Sequence, residues 1–383
     1  MAWIMSQAAV RTMAQSHTMT SRVDVLHGGR SVMSLYPLDG EVNAEANRPI
    51  MRNMSATLAD PTGELSGSDV GDIMSPYDCE LAPYRGVVVY PGTTAQYTEW
   101  TPLGVFQLTS RTPSGDGSVA VVGQDRALTY QGPMTGSLAI PGVTSVEDAI
   151  ATLLATRNPG VQMRTWQTGY TCGPLLYQPD IDVWKAALDL AKSVGGWLYH
   201  DRTGALVFGP ALPTSRRPVR RYAEGDGLLL DADRSEDSDT IHNIVVVTSA
   251  KAGIGGVIQA IAEDDDPFSP TYARGRYGRR PISFANQHLE TLQQAQQVAA
   301  TELMRELGRS ETASIVVVPD LTLDPQDILT INAPKSGLYE RGMVISSLTT
   351  PLTAEESMPI ALRKSIIATD GQVMETSEEL AST

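Results

Sequence analysis

The sequence has few cysteines and no long apolar run. Only two of its 383 residues are Cys, which excludes a disulfide-stabilised scaffold and fits a reducing compartment. The first twenty residues contain four Met but lack the continuous apolar segment of a signal peptide. No stretch approaches the roughly 18 apolar residues of a membrane span. These absences predict a chain that is made and folded in the cytoplasm, without membrane insertion.

Positive charge is also scarce. Lys and Arg total 29 against 44 Asp and Glu, so the formal net charge is −15. A protein that reads duplex DNA carries a concentrated positive field, and this balance excludes that class. The same charge balance does not exclude a protein that nucleic acid merely slides past. The apolar content of 42% and charged content of 19% indicate an ordinary globular chain.

Short strand patterns dominate the first third of the chain, whose total length predicts two or three domains. Residues 1–20 are predicted to form an N-terminal arm, either flexible or ordered against a partner. Alternating apolar and polar residues between Gly and Pro turns predict a β-barrel or sandwich over 21–130. Its strand candidates are Arg22–Leu26, Ser31–Leu35, Glu41–Glu45, Arg52–Leu58, Arg85–Tyr90, Gly104–Thr109 and Ser118–Val122.

Residues 131–239 are predicted to be an α/β insertion domain. Ser145 and Asp148 have the spacing of a capping box, which predicts a short helix. A stronger helix is predicted over Val183–Val194, because its apolar residues recur on one face and two Gly follow it. A hairpin comes next, with Trp197–His200 and its return strand around a Gly turn. The insertion therefore combines helices with a hairpin.

Residues 240–370 are predicted to be a second β-barrel or sandwich domain, containing a long helix over 287–307. Before it, Glu224–Asp239 has seven acids and one base, and is predicted to be an exposed loop. Residues 250–285 show no regular pattern, and 371–383 are predicted to be a flexible C-terminal tail. The predicted fold class is mainly β with α+β insertions.

The sequence offers no motif for catalysis, metal binding or cofactor binding. Neither His-x-x-x-His nor Cys-x-x-Cys occurs, and Cys79 and Cys172 lack a neighbouring His or basic cluster. Residues 252–256 lack the Lys-Ser/Thr of a phosphate loop. We therefore predict no catalytic, cofactor-binding or metal-binding residues, no cofactor and no enzymatic activity. The five His, each assigned a structural role, are His17, His27, His200, His242 and His288.

Two further features have competing interpretations. Glu263–Asp266 is predicted to be a solvated loop facing the Arg-rich run at 274–280, rather than a calcium or magnesium site, because the Gly and distal Glu of an EF-hand are missing. For the Arg run itself three interpretations stay open: it binds phosphate, it pairs with the adjacent acids, or it pairs with a neighbouring subunit. Trp184 and Trp197 are predicted to anchor the core rather than to form a sugar-binding platform.

The order of these elements resembles that of phage tail hub proteins. The helix Val183–Val194, followed by a hairpin with the turn Asp201–Gly204, is similar to a segment that recurs in that family. The strand around Asn243–Val247 and the helix 287–307 are similar too. The stretch Pro319–Leu329 resembles a Leu-x-Pro-Gly-Asp turn, with Gln326 in place of the usual Gly.

The N-terminal part resembles minor tail proteins of siphophages that infect actinobacteria. Arg52–Gly63 resembles their Arg-containing strand and Asp-Pro-x-Gly turn, and Pro102–Leu108 their Leu-Gly-Val-Phe strand. The resemblance covers roughly residues 21–370. It implies a tail tip or baseplate hub with two domains of the tail-tube β-barrel fold, 21–130 and 240–370.

The resemblance also implies a function and partners. Such a hub is a homotrimer that caps the tail tube and adapts its six-fold symmetry to a three-fold tip. Its partners are the tube or distal tail protein above, tip or fibre proteins below and the tape-measure protein in the lumen. DNA passes through on ejection without specific binding, and a trimer carries 3 × −15 = −45 formal charges. The protein is then a virion component assembled in the host cytoplasm. The alternative is an envelope-degrading or carbohydrate-binding tail-tip protein.

Overall fold

The structure is a computed structural model that describes residues 3–15, 17–67, 72–213, 217–249, 258–369 and 372–375. It is mainly β with a few helices, which confirms the predicted fold class. The loop at 252–256 and most of the predicted tail 371–383 lie outside the described residues. No helix in the described ranges is long and apolar enough to cross a membrane.

The first β half follows a short N-terminal helix and is one antiparallel array in the order β3-β4-β8-β7-β5-β1-β2. Seven of its eight strands overlap predicted ones, and β6, which pairs with β5, was missed. The elements are α1 (Gln7–Met13), β1 (Met19–His27), β2 (Arg30–Leu35), β3 (Pro37–Glu45), β4 (Arg52–Ala59), β5 (Glu80–Val89), β6 (Tyr97–Pro102), β7 (Phe106–Pro113) and β8 (Ser118–Asp125).

The predicted N-terminal arm is ordered by its own chain. Ser6 caps α1 by accepting a hydrogen bond from the Ala9 N–H (3.1 Å). Ala9 and Met13 are buried in a small cluster that includes Val87 of β5 and Leu321. The prediction of a flexible or partner-ordered arm is therefore wrong for the described part of residues 1–20. Burial of the apolar face of α1 accounts for the difference.

The insertion packs two helices against short strands. The predicted capping box is confirmed, because Ser145 Oγ accepts from the Asp148 N–H (3.1 Å), and Asp182 caps the second helix. The elements are β9 (Leu138–Ile140), β10 (Thr144–Ser145), α2 (Val146–Ala155), β11 (Met163–Thr165), β12 (Thr171–Cys172), β13 (Leu175–Tyr177), α3 (Val183–Lys192), β14 (Gly196–His200) and β15 (Leu206–Pro210).

The second β half contains two sheet layers. The strands β17-β21-β24-β23 continue the main sheet, whereas β18, β19 and β20 form a separate three-stranded sheet against α4. The elements are β16 (Arg220–Ala223), β17 (Leu229–Glu236), β18 (Ile244–Ser249), β19 (Gln259–Glu263), β20 (Pro281–Asn286), α4 (Leu292–Gly308), β21 (Glu311–Val317), β22 (Ile328–Ala333), β23 (Leu338–Pro351), β24 (Met358–Lys364), β25 (Ile366–Thr369) and β26 (Gln372–Glu375).

Four predictions that concern this half were wrong. Glu224–Asp239 is not a loop throughout, because β17 lies within it and pairs with β21. This pairing, with that of β16 and β22, joins residues 220–236 to the second half rather than to the insertion. The region 250–285 contains β19 and part of β20. The long helix begins at Leu292 rather than 287, because Thr291 caps it by accepting from the Gln294 N–H (3.1 Å).

The two β halves are parts of one 14-stranded sheet. They meet where β3 pairs antiparallel with the C-terminal part of β23. Each half has its own apolar core, and each core receives one residue from the other half. Leu352, just after β23, lies in the first core, and Ala44 of β3 lies in the second. The junction is therefore a packed seam and not a flexible linker.

Candidate assembly site

The two β halves contain the same five-strand unit. We call the strands β3-β4-β8-β7-β5 unit A and the strands β17-β21-β24-β23-β22 unit B. In both units each strand is antiparallel to its neighbour, and the fifth strand pairs with the beginning of the fourth. Strand order and direction are thus repeated within one chain.

The β-bulges of the two units also coincide. The ladder between the first two strands skips one residue at Leu38 in unit A and at Leu230 in unit B. The ladder between the third and fourth strands skips one residue at Thr109 in unit A and at Ser346 in unit B. Because bulges fix the register of a strand pair, their coincidence makes the two units equivalent position by position.

The bulge at the start of each unit carries an exposed leucine. Leu38 is 59% exposed and Leu230 is 56% exposed. After each leucine an aspartate accepts a hydrogen bond from the next backbone N–H, Asp39 from Gly40 (2.7 Å) and Asp231 from Ala232 (2.9 Å). This Leu-Asp pair is the sequence signal of the repeat, and inspection of the sequence missed it.

The seam between the units is a regular ladder. Glu41–Glu45 of unit A lie opposite Ser347–Pro351 of unit B. Asn43 Nδ2 donates to Thr349 Oγ1 (3.0 Å), and the Gly40 carbonyl accepts from the N–H of the residue after β23 (2.7 Å). Arg85 of β5, fully buried, adds a bond from Nη1 to the Pro351 carbonyl (2.5 Å).

A buried ionic cluster joins both units to the insertion. Arg52 of β4 is 1% exposed, and its Nη2 lies 2.6 Å from Oδ1 of Asp324, in the loop before β22. Arg202, in the turn between β14 and β15, places Nε 3.3 Å from the same oxygen. Arg52 Nη1 also donates to the His200 carbonyl (2.6 Å). One carboxylate thus receives two guanidiniums from two other parts of the chain.

The charges of this cluster are set by burial and by the two guanidiniums. Burial raises the pKa of Asp324, but the opposing causes, led by the charges of Arg52 and Arg202 and including the Arg52 hydrogen bond, together hold that pKa below its ordinary value. Burial, together with the charges of Arg126 and Arg52, lowers the pKa of His200 to about 3. Asp324 is therefore ionised and His200 neutral at pH 7.

A neighbouring carboxylate behaves differently. Burial raises the pKa of Asp125, and hydrogen bonds from the backbone N–H groups of Arg52 and Ala127 oppose the rise without cancelling it. Asp125 Oδ1 lies 4.0 Å from Nδ1 of His200. The His200 ring packs against both Tyr130 and Trp184, with centroid distances of 6.0 and 5.9 Å, and those two rings lie 5.7 Å from each other. The surroundings of His200 are those of a packed core residue.

Two turns predicted from the sequence position this cluster. Gln326, where the resembling family has Gly, takes a left-handed conformation with φ 72°, and its side-chain oxygen accepts from Arg363 Nη2 (3.0 Å). Gly204 closes the hairpin turn with φ 76°, and a Cβ there would lie 2.8 Å from Cβ of Val105. The hairpin therefore approaches the first half at a point that only Gly fits.

The remaining candidate residues lie apart from one another. Glu263 forms ion pairs with Arg274 and Arg279 (3.0 Å each), which confirms that the acidic loop faces the Arg run. Trp184 and Trp197 are both buried, as predicted for core anchors. Within the described part of the chain no three His, Cys, Asp or Glu side chains are grouped as a metal site requires.

The two cysteines are buried far from the cluster. Cys79 lies in the core of the first β half and Cys172 in that of the insertion. Burial and the nearby carboxylate of Glu80 raise the pKa of the Cys79 thiol to about 12. A thiol with so high a pKa is protonated at neutral pH and is a weak nucleophile.

A cleft between elements of the insertion and the second β half has an ion pair at its rim. It has a volume of about 440 Å³ and lies among α3, α4 and β20. Phe284 and Val298 form part of its apolar wall, and Arg305 at its rim binds Glu302 (2.8 Å). The repeated strands and the ionic cluster, rather than this cleft, are the distinctive features of the molecule.

No protein-family model matches this chain, and no curated protein matches it in sequence. Solved structures share its fold. A tail protein from Neisseria meningitidis MC58 superposes with a TM-score of 0.62 at 16% identity, covering 94% of this chain and 99% of that chain. The 43 kDa tail protein of prophage MuSo2 from Shewanella oneidensis gives 0.60 at 15% identity, covering 90% and 98%. A prophage tail protein from Listeria monocytogenes EGD-e gives 0.53 at 11% identity, covering 90% and 94%.

These superpositions define the class of fold. The chain has the fold of phage tail proteins over nearly its whole length. The predicted resemblance to phage tail proteins is thereby confirmed at the level of the fold. The likeness extends over the insertion as well as over both β units, because nine-tenths or more of the chain is covered in each case.

Proposed function

We propose that this protein is a structural virion component, a hub at the tip or baseplate of a phage tail. The observation that carries the proposal is the repeat of unit A as unit B within one continuous sheet. Three copies of a chain with two equivalent units present six units around an axis. A homotrimer can therefore match a six-fold tube on one side and a three-fold tip on the other.

The rigidity of the connections supports the same proposal. A symmetry adaptor has to hold its two units at a fixed angle, because a flexible linker would lose the six-fold arrangement. The β3–β23 ladder fixes the units edge to edge, and the Arg52–Asp324–Arg202 cluster fixes the insertion against both. In this proposal the two β halves, 19–125 and 220–364, act as one body, with the insertion outside.

The proposal assigns the partners and the path of DNA. The tube or distal tail protein binds one face of the ring and tip or fibre proteins bind the other, and the tape-measure protein occupies the lumen before ejection. With −15 charges per chain, acidic groups facing the lumen repel phosphates, so that DNA passes without binding. Assembly takes place in the cytoplasm of the host.

Electron microscopy tests this function. Negative-stain images of the purified chain, alone and with the tube protein encoded beside it, are expected to show three-fold rings that cap tube ends. A monomer that neither caps tubes nor enters virions would contradict the proposal. A peptidoglycan and glycan turnover assay tests the rival envelope-degrading function, and activity abolished by a single acid-to-amide change would favour that rival.

A further inference from the structure

We propose that the outer edge of β17 pairs with the C-terminal end of β7 in a second copy of this chain. The proposal rests on the proposed trimeric hub and names the strands that close its ring. Its basis is the seam already present inside the chain, where the first strand of unit A pairs with the end of the fourth strand of unit B. The same junction, repeated between chains, joins the first strand of unit B to the end of the fourth strand of unit A.

The matching registers give the residue pairs of this contact. Within the chain, Ala44 lies opposite Leu348 and Asn43 opposite Thr349. Counting from the bulges, Glu236 and Ser235 on β17 are equivalent to Ala44 and Asn43 on β3. In the same way, Arg111 and Thr112 on β7 are equivalent to Leu348 and Thr349 on β23. The predicted contact therefore places Glu236 opposite Arg111 and Ser235 opposite Thr112.

The chemistry of these pairs is complementary. Glu236 and Arg111 bring opposite charges face to face across the ladder, which favours a strand pair, whereas like charges oppose it. Within the chain Glu236 pairs with Arg234, and the Arg111 guanidinium donates to the carbonyls of Leu65 and Gly67, so the new pair adds to these contacts or replaces them. Ser235 and Thr112 are both exposed hydroxyl residues and can repeat the side-chain hydrogen bond that Asn43 makes to Thr349. No apolar residue has to be uncovered for the contact to form.

Both edges are available where the contact needs them. Among the described residues, β17 pairs with β21 alone, and β7 pairs with β5 only through Phe106 and Gln107. Ser336 Oγ donates to the Ala232 carbonyl, so the open part of β17 is Asp233–Glu236. Unpaired edges of this kind promote uncontrolled association unless they are covered.

One residue shortens the ladder between chains. Pro113 occupies the position of Thr350 and has no backbone N–H to donate. The contact between chains is therefore expected to be one hydrogen bond shorter than the seam within the chain. A proline at the end of an edge strand also limits pairing with unrelated strands.

The contact is head to tail, because β17 and the end of β7 are different surfaces. A head-to-tail contact forms a closed ring when its rotation closes, and an open filament when it does not. With the internal seam and the contact between chains alternating around the axis, three chains supply six similar junctions. Thus the internal seam serves as the template for the contact between subunits.

Cysteine cross-linking of the full chain tests the pairing. The variant carrying Thr112→Cys and Ser235→Cys places the thiols on directly opposed residues, within disulfide reach in the predicted register. The variant carrying Asn43→Cys and Thr349→Cys is the matched control, because it places the same pair in the internal seam. The variant carrying Thr112→Cys and Asp233→Cys is the off-register control, two residues away. The native Cys79 and Cys172 are buried.

After mild oxidation we expect the first variant to migrate mainly as a covalent trimer on a denaturing gel without reductant. The internal control should remain monomeric with an intramolecular disulfide, and the off-register variant should remain largely reduced. Equal cross-linking at the two registers, or none at Thr112 and Ser235 while the internal control oxidises fully, would overturn the pairing.

Light scattering on the unmodified chain separates this inference from the proposed function. A trimer without the cross-link would overturn the β17–β7 contact and leave the hub intact. A monomer without the cross-link would overturn both. A covalent ladder extending beyond three chains would support the strand pairing and contradict the closed trimer.

Discussion

Nη2 of Arg52 lies 2.6 Å from Oδ1 of Asp324, and the two residues come from different β units. They are 272 positions apart in the sequence. The same carboxylate oxygen is approached by Arg202 of the insertion at 3.3 Å. Three parts of the chain therefore share one buried carboxylate. Loss of Asp324 leaves two buried guanidiniums without this counter-charge, and loss of Arg52 leaves Asp324 with the more distant Arg202.

Replacement of Arg52 by Met is expected to lower the free energy of unfolding by about 3 to 5 kcal/mol, because Asp324 then stays buried without its closest partner. Urea denaturation followed by circular dichroism measures the change. Arg48→Met is the control, since Arg48 pairs with Glu45 at an exposed position and its loss should change the stability far less than loss of Arg52. Equal effects of the two substitutions would contradict the assigned role of the cluster.

His200 should make stability depend on pH. Its pKa in the folded protein is about 3, below the ordinary 6.5 of the unfolded chain, so the unfolded chain binds more protons between these values. The contribution of neutral His200 is complete above pH 6.5 and is lost as the pH falls towards 3. Between pH 7 and pH 5 the loss is about 2 kcal/mol.

The variant His200→Phe keeps the stacked ring and removes the titration. Between pH 7 and pH 5 the unmodified protein should lose about 2 kcal/mol more of its free energy of unfolding than this variant loses. Urea titrations at the two pH values measure the difference. Parallel pH profiles of the two proteins would show that His200 is not the group responsible.

Gly204 is expected to tolerate no side chain. Gly204→Ala combines a left-handed backbone with a Cβ 2.8 Å from Val105, which should cost about 2 to 5 kcal/mol. Gly169 has a similar φ of 74° and no atom within 4 Å of an added Cβ. Gly169→Ala should therefore cost only about 1 to 2 kcal/mol. Thermal unfolding of the two variants measures the difference. Equal falls in the two midpoint temperatures would contradict the close approach of the hairpin to the first half.

The N-terminal helix should be protected in the isolated chain. Met13 is 2% exposed and packs in the cluster that holds α1 on β5, so Met13→Ala should destabilise the protein by about 2 to 5 kcal/mol. Hydrogen exchange at residues 7–13 of the purified, partner-free chain gives an independent measurement. Rapid exchange there would restore the original prediction that the arm needs a partner to order.

Local sequence patterns predicted much of the fold, and the failures have a common cause. Alternation located most strands of the first half, and the Ser145 capping box and the apolar face of 183–194 located two helices. The acidic segment 224–239 was misread because β17 is stabilised by pairing with β21, which lies more than seventy residues away. A strand with exposed acids carries no apolar alternation of its own.

The candidate site was less accessible to sequence reasoning. Each residue of the Arg52–Asp324–Arg202 cluster is an ordinary charged residue in its local sequence, and only the tertiary fold brings the three together. The repeat did leave a trace, the Leu-Asp pairs at Leu38 and Leu230. Two such residues in each unit are too few to identify a duplication without the strand registers.

The most direct test of the account is the mass of the purified chain in solution, measured by multi-angle light scattering across a range of protein concentrations. The account predicts a particle of three times the 41.1 kDa chain mass, with three-fold symmetry in images of the same sample. A particle that stays at the mass of one chain at every concentration, with and without the tube protein, would contradict it.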